Sequence, residues 1–199
     1  MEAPSLCDRW RVRDVVGHLI LLGEVNPATA PISLIRFGLS IDRWLGGRAI
    51  RRADEHPRGE LILAWDLQLP RTGLARFRTD ASLLYEHVVH HQDVRRPLRR
   101  PRQISTETLL ALLDLAPWRN GAIGSKKRAA GLRLEATDVD WSHGEGPGVR
   151  GSAEAILLAL AGRGIALDEL EGDGLTILRS RALERPTHSC WAPLARTFQ

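Results

Sequence analysis

Two stretches decide the fold: YEHVVHHQDVRR at residues 85–96 and WRVRDVVGHL at residues 10–19. In the first, Glu86 and His90 are four residues apart, so on a helix they share a face and lie one turn apart. A carboxylate and an imidazole placed in this way can bind one divalent ion, and His18 of the second stretch is a candidate third ligand. Three protein ligands leave a coordination position open, as catalytic metal sites require.

The spacing alone leaves alternatives to each of these assignments. His87 and His91 form a competing pair four residues apart, rotated by about 100° around the same helix. The Glu86–His90 pair also suits a surface pair, or a buried histidine satisfied by a carboxylate. His18 lies beside the apolar stripe of its own helix, where a core histidine is the alternative to a ligand.

Two aspartates accompany the candidate ligands. Asp93 lies on the same helix face as His90, and it is a candidate fourth ligand or a hydrogen-bond acceptor that fixes the ring of His90. Asp14 lies one turn before His18, where it either accepts a proton from that ring or stabilises the start of the helix. Both are therefore candidate outer partners of the metal ligands.

The overall composition is that of a globular protein. The chain has 199 residues, of which 43% are hydrophobic and 26% are charged, enough to build a core as one domain or as one domain with a small appendage. Its two cysteines, Cys7 and Cys190, make no disulfide framework. No apolar run reaches the ~18 residues of a membrane span, and the N-terminal residues lack a signal-peptide pattern. We therefore expect a cytoplasmic protein without a membrane partner.

The chain is basic, with a formal net charge of +4 and a pI of about 9.8. The basic residues are interleaved with acids and no recognition motif accompanies them, so nucleic-acid binding is disfavoured. Arg95 and Arg96, just beyond the candidate ligands, are candidates for binding an anionic substrate. The alternative for this pair is a solvated basic helix end.

Helical periodicity dominates residues 1–120, which we expect to form a bundle. Gly46 and Gly47 are interpreted as the end of a helix, and the polar residues 48–58 as a loop. Ser105 is a candidate N-cap. Apolar stripes predict helices over residues 10–22, 32–45, 79–96 and 105–115, with a short helix or turn over 60–67.

The pattern changes in the last third of the chain. Residues 131–137 alternate between apolar and polar, as a half-exposed strand does, and Trp141 and Val149 belong to further short strands. Ser152 then caps an apolar helix. We expect a small α/β domain over residues 130–178 and a loosely ordered tail over residues 179–199. The fold class is therefore α+β.

A cluster of glycines over residues 143–148 separates two of these strands. No Gly-Lys-Ser/Thr follows it, so the cluster is interpreted as a tight turn rather than a phosphate loop.

In order and spacing, three motifs resemble those of the mycothiol-dependent maleylpyruvate isomerase family, which belongs to the DinB-like metal-binding helical bundles. They are CDxWxVRDVVxHL from residue 7, ExxxHxxDVR from residue 86 and DWSHGEGP from residue 140. The resemblance covers roughly residues 4–178. It implies a DinB-like helical bundle followed by a small sterol-carrier-like domain.

The resemblance also implies a chemistry. The ligands of the family's metal, usually zinc, fall on His18, Glu86 and His90. The implied cofactors are zinc and mycothiol, and the implied activity is a metal-dependent isomerase or transferase that uses this thiol. The implied partners are the small-molecule thiol and a small anionic substrate. The alternative is a non-catalytic bundle that binds a metal or another ligand.

Two departures from the family pattern stand out. Family members carry an additional helix before the first motif, so we expect a bundle whose first helix is missing, with a homo-oligomer as one way to cover the exposed apolar surface. The family also often has a small hydroxyl residue after the tryptophan, where it can cap the helix. Here this position is Arg11, whose charge is unfavourable at that end.

Overall fold

The computed structural model describes residues 1–7, 10–36, 41–66, 72–100, 102–119 and 124–183. It is a mixed α+β protein, which confirms the predicted fold class. The described residues up to 100 form one unit and those from 102 onward a second.

Helices build the first unit. Helix α1 lies at the centre of this unit, where it contacts α3, α4, α5 and the 3-10 helix before α5. The bounds in the described part of this unit are Val12–Glu24 for α1, Ala30–Arg36 for α2, Ile41–Glu55 for α3, Arg58–Asp66 for α4, Gly73–Phe77 for the 3-10 helix and Asp80–Arg95 for α5.

The packing of α1 against α3 depends on one small residue. A Cβ added at Gly17 would lie 2.6 Å from the carbonyl oxygen of Ala49, so only glycine allows the two backbones this close. Val15 and Ile20 of α1 are fully buried. The close approach fixes the rotation of α1 and with it the direction in which His18 points.

The prediction of a loop over residues 48–58 is wrong for most of that range, because α3 continues to Glu55. Gly46 and Gly47 do not end the helix. Ala49 and Ala53 form its contact face and are fully buried, but such small residues do not register as an apolar stripe among the charged residues around them. Packing against α1 thus compensates for the low helix propensity of the two glycines.

Arg11 precedes α1, and its contacts with acidic side chains offset the unfavourable interaction of its charge with the helix dipole. Its backbone N–H donates to Oδ2 of Asp14 at 2.8 Å, which is the acidic half of a capping box. Its guanidinium also donates to Asp14 at 2.8 Å and to Asp54 at 2.6 Å. Asp14 is buried. It stabilises the start of the helix, which is one of the two roles that the sequence analysis left open for it.

The second unit combines helices with a four-stranded sheet of order β2-β1-β3-β4. β1 runs parallel to β3, while β2 and β4 are antiparallel to their neighbours. The bounds in the described part of this unit are Thr106–Leu115 for α6, Ser125–Ala129 for α7, Arg133–Ala136 for β1, Ser142–His143 for β2, Gly148–Gly151 for β3, Ala153–Leu160 for α8, Leu170–Glu171 for β4 and Leu175–Leu183 for α9.

The core of the second unit is α8. It begins at Ser152, whose side chain accepts a hydrogen bond from the N–H of Ala155, and it packs against α6, β1 and β3. At its other end the carbonyl of Leu160 accepts hydrogen bonds from Ser125 at 2.8 Å and from Arg128 at 3.1 Å. A buried cation at this end complements the helix dipole.

The unit boundary and the tail differ from the sequence interpretation in two places. α6, which the sequence analysis grouped with residues 1–120, packs against α8 in the second unit. The expected tail over residues 179–199 begins inside α9, where Leu178 and Ala182 are buried. Residues 184–199 lie outside the described residues. None of the described helices is both long and apolar enough to cross a membrane.

Candidate metal centre

The centre lies between α1 and α5, which contact each other. α1 contributes His18, and α5 contributes Glu86 and His90. The side chains of the two histidines are 4% and 7% exposed, and that of Glu86 is 13% exposed. Tyr85 and Val89, next to these ligands along α5, are buried, so that this side of α5 faces the protein.

The three candidate ligands converge on one point. Nε2 of His18 lies 3.4 Å from Oε1 of Glu86, and Nε2 of His90 lies 3.5 Å from the same oxygen. One ligand atom from each residue lies within 4.8 Å of the other two. The two imidazole rings meet edge to face, with their centroids 5.0 Å apart.

These separations suit a shared ion better than hydrogen bonds. Charge-assisted N–H···O contacts are about 2.7–2.9 Å long, which is shorter than both of the distances to Oε1. Ligand atoms about 2.0–2.1 Å from a tetrahedral zinc ion lie about 3.4 Å apart. Two imidazole nitrogens and a carboxylate oxygen are also ligands that zinc accepts. The residues present therefore fit such a metal, and they could hold one.

The ring of His90 is fixed from its other side. Its Nδ1 lies 2.8 Å from Oδ2 of Asp93, an ordinary hydrogen-bond distance. With the proton on Nδ1, Nε2 is left as an acceptor that points toward Glu86. A carboxylate behind a histidine in this way is the usual support of a metal-bound imidazole.

Cys7 extends this support by one residue. Its Sγ donates to the same oxygen of Asp93 at 3.2 Å, and it lies 4.0 Å from Nδ1 of His90. Cys7, His90 and Asp93 are all buried and form a second group that could hold an ion. However, a 2.8 Å contact between Asp93 and His90 is too short for two ligands of one tetrahedral zinc ion and is typical of a hydrogen bond. We therefore interpret this group as a hydrogen-bonded chain behind His90.

The second oxygen of Glu86 has a partner of its own. Nη2 of Arg78 donates to Oε2 of Glu86 at 3.2 Å, while Nε of Arg78 donates to the hydroxyl of Ser82 at 2.9 Å. Burial opposes ionisation of Glu86, but its interactions with the imidazoles of His18 and His90 outweigh this effect and hold the pKa of Glu86 well below its ordinary value. The carboxylate is thus ionised and ready to bind a cation.

The competing pair of histidines faces elsewhere. Nδ1 of His87 lies 2.7 Å from the carbonyl oxygen of Leu83, and its ring lies 5.2 Å from that of Trp65. His91 is half-buried. Of the two registers that the spacing left open, the structure brings Glu86 and His90 to His18.

The two arginines predicted to attract a substrate lie at the far end of α5. Arg95 is its last residue and Arg96 is its C-cap, five and six residues beyond His90. Both are half-buried. The guanidinium that contacts Glu86 belongs to Arg78, so a substrate role for Arg95 and Arg96 stays a prediction.

Sequence reasoning missed Arg78 and the role of Cys7. The signal for Arg78 lies in the same spacing that identified the ligands, because Arg78, Ser82, Glu86 and His90 follow one another every four residues. Cys7 is part of the first motif, but a single cysteine in a loop gives no indication that it reaches a residue 86 positions away.

The chain has no significant match among protein-family models, curated proteins or solved structures. The family resemblance therefore rests on the motifs themselves.

Proposed function

We propose that this protein is a metal-dependent isomerase or transferase of the maleylpyruvate isomerase type, with a DinB-like bundle as its metal-binding unit and mycothiol as its thiol cofactor. The observation that carries the proposal is the convergence of His18, Glu86 and His90 from two helices, with both histidine nitrogens 3.4–3.5 Å from one oxygen of Glu86. The order of the three motifs along the chain supports the family assignment.

A bound divalent metal supplies Lewis acidity, which lowers the pKa of a coordinated thiol so that it is held as the thiolate near neutral pH. The residues of the chain have the complementary tasks. His18, Glu86 and His90 would hold the metal through three ligand atoms, which would leave a position open for the thiol. Asp93 holds His90 in the tautomer whose Nε2 is a ligand.

The charge around the centre favours an anion at the open position. A divalent ion beside the carboxylates of Glu86 and Asp93 and the guanidinium of Arg78 leaves one net positive charge. A thiolate neutralises this charge, whereas a neutral ligand does not. The arrangement therefore favours an anionic ligand such as a thiolate at the open position.

Aromatic packing keeps water from part of the centre. The ring of Trp10 lies 5.4 Å from that of His18, and Trp10 is 3% exposed. An apolar wall of this kind strengthens the interactions between the charges inside it.

A thiolate bound in this way suits two related reactions. It would supply the nucleophile for reversible addition to the double bond of an unsaturated acid, which would permit rotation between cis and trans before elimination. Transfer of the thiol to another electrophile is the second. A non-catalytic metal- or ligand-binding bundle would use the same three ligands without accelerating either reaction, so the experiment must measure thiol binding and rate separately.

The test uses the full chain loaded with Co²⁺, which takes the place of zinc and reports its ligands by visible absorption. Addition of mycothiol is expected to produce a cobalt–thiolate charge-transfer band, and the loaded protein is expected to accelerate isomerisation of maleylpyruvate or transfer of the thiol to a test electrophile. Cobalt binding without a thiolate band would contradict the thiol role, and a thiolate band without rate acceleration in either assay would establish the non-catalytic alternative.

A further inference from the structure

We propose that Arg78 is a positioning residue that makes Glu86 bind the metal through one oxygen only and thereby keeps the thiol position open. This inference rests on the metal site of the proposed function. The two oxygens of Glu86 have different partners. Oε1 faces both imidazoles, and Oε2 accepts a hydrogen bond from Arg78 at 3.2 Å.

The guanidinium is held in place from its other edge as well. Nε of Arg78 donates to the hydroxyl of Ser82 at 2.9 Å, one turn before Glu86 along α5. Two donors of one planar group are therefore engaged at once, which fixes the plane of the guanidinium and the direction of its third nitrogen. A flexible cation without this second anchor would not hold Oε2 in one orientation.

The position of Arg78 is not one that helix electrostatics favours. It lies two residues before the start of α5, directly ahead of the N-cap Thr79, where the helix dipole disfavours a cation. Its backbone is extended there, and its N–H donates to the carbonyl of Ala75. The side chain runs along α5 toward Glu86, and its contacts with Ser82 and Glu86 offset the unfavourable interaction with the dipole.

The consequence for the metal concerns the number of ligands. A carboxylate binds a cation through one oxygen or through both. If Oε2 lost its hydrogen bond to Arg78, it would turn toward the ion and occupy the position that an incoming thiol needs. Arg78 therefore preserves an open site without touching the metal or the thiol.

Four proteins test the proposal: the wild-type chain, Arg78→Gln, Arg78→Lys and the control Arg76→Gln. Arg76 is an exposed arginine two residues away, and its guanidinium lies over the ring of Phe77 at 5.4 Å. The control removes the same charge from the 3-10 helix that Arg78 follows, while leaving Glu86 and its partners intact. Each protein is loaded with Co²⁺, and its visible absorption and its affinity for mycothiol are measured.

Arg78→Gln is expected to keep its cobalt but to show weaker visible absorption, because the freed oxygen raises the coordination number above four. Its dissociation constant for mycothiol is expected to rise by about 10-fold or more, the usual scale for the loss of an outer partner. Arg78→Lys restores the charge but not the double anchor, so it is expected to lie between the wild type and Arg78→Gln. Arg76→Gln is expected to match the wild type.

The proposal is overturned if Arg78→Gln has the same cobalt spectrum as the wild type, since a structural or purely electrostatic role would leave the coordination number unchanged. Equal losses of thiol affinity in Arg78→Gln and Arg76→Gln would likewise assign the effect to net charge. Failure of the proposed function gives a different result: wild-type protein that binds cobalt but no thiol refutes the cofactor, while the spectra still decide the role of Arg78. Wild-type protein that binds no cobalt refutes both.

Discussion

His90 takes its orientation from a residue three positions further along α5. The hydrogen bond between its Nδ1 and Asp93 fixes both the tautomer and the plane of the ring. Asp93 is itself buried and also accepts a hydrogen bond from Cys7. The ligand thus belongs to a chain of three side chains, of which only the last faces the centre.

Replacement of Asp93 by asparagine tests this chain. Asparagine keeps the size of the side chain but binds the Nδ1 proton more weakly, and its amide is able to turn and favour the wrong tautomer of His90. We expect the affinity for zinc to fall by about 10- to 100-fold, as measured by competition with a chromophoric chelator. Asp54→Asn, an aspartate of the same unit that contacts Arg11 on the surface, is the control. An unchanged affinity in Asp93→Asn would show that Asp93 does not support the ligand.

At this scale the sequence identified the residue types and their spacing but not the register of the site. Apolar and polar residues are spread around α5, so its buried face could not be read from its periodicity. The choice between the Glu86–His90 pair and the His87–His91 pair depends on which face α1 covers, and that is a property of tertiary packing. Arg78 was missed for a related reason. It lies before the start of α5, yet its side chain contacts Ser82 and Glu86 on that helix.

Between elements, the decisive contact is the one between α1 and α3. The backbones approach most closely where Gly17 faces the carbonyl of Ala49, and His18 is the next residue along α1. The rotation of α1 that seats Gly17 on α3 is therefore the rotation that turns His18 toward α5.

Replacement of Gly17 by alanine is expected to destabilise the protein despite the better helix propensity of alanine. The added Cβ would lie 2.6 Å from the carbonyl oxygen of Ala49, and overpacking of this kind costs about 1–3 kcal/mol, against a gain in propensity of up to about 1 kcal/mol. The unfolding free energy is measured by urea denaturation. We also expect weaker zinc binding, because α1 must shift.

Gly47→Ala is the matched control. Gly47 lies inside α3, and a Cβ added there would have no neighbouring atom within 4 Å. The unfolding free energy is expected to rise by up to about 1 kcal/mol, since only the propensity changes. If Gly17→Ala were as stable as Gly47→Ala, the close approach of α1 and α3 would not be the constraint described here.

Elements with strong periodicity and clear caps could be predicted from the sequence, and those defined by small residues could not. Ser105 caps α6 as predicted, and the alternation over residues 131–137 contains β1. The second half of α3 was interpreted as a loop, since its buried face consists of Ala49 and Ala53 among arginines. Alanine contributes little to an apolar pattern, but it makes close helix packing feasible.

For the molecule as a whole, the sequence predicted the order of a helical region followed by a small mixed region, and the structure has both. α6 joins the second unit because its apolar face packs against α8, a contact between segments about 45 residues apart that local periodicity does not reveal. The described ligands and outer partners of the candidate centre all belong to the first unit, between residues 7 and 93.

The central claim is that α1 and α5 together hold one metal ion, and the metal content of purified variants tests it most directly. After loading with zinc and removal of the excess, the wild-type chain is expected to contain one zinc per molecule by mass spectrometry. His18→Ala, Glu86→Gln and His90→Ala are each expected to lose most of it, while His87→Ala and His91→Ala retain it. Full zinc content in Glu86→Gln, or a loss in His87→Ala as large as that in His90→Ala, would contradict the account.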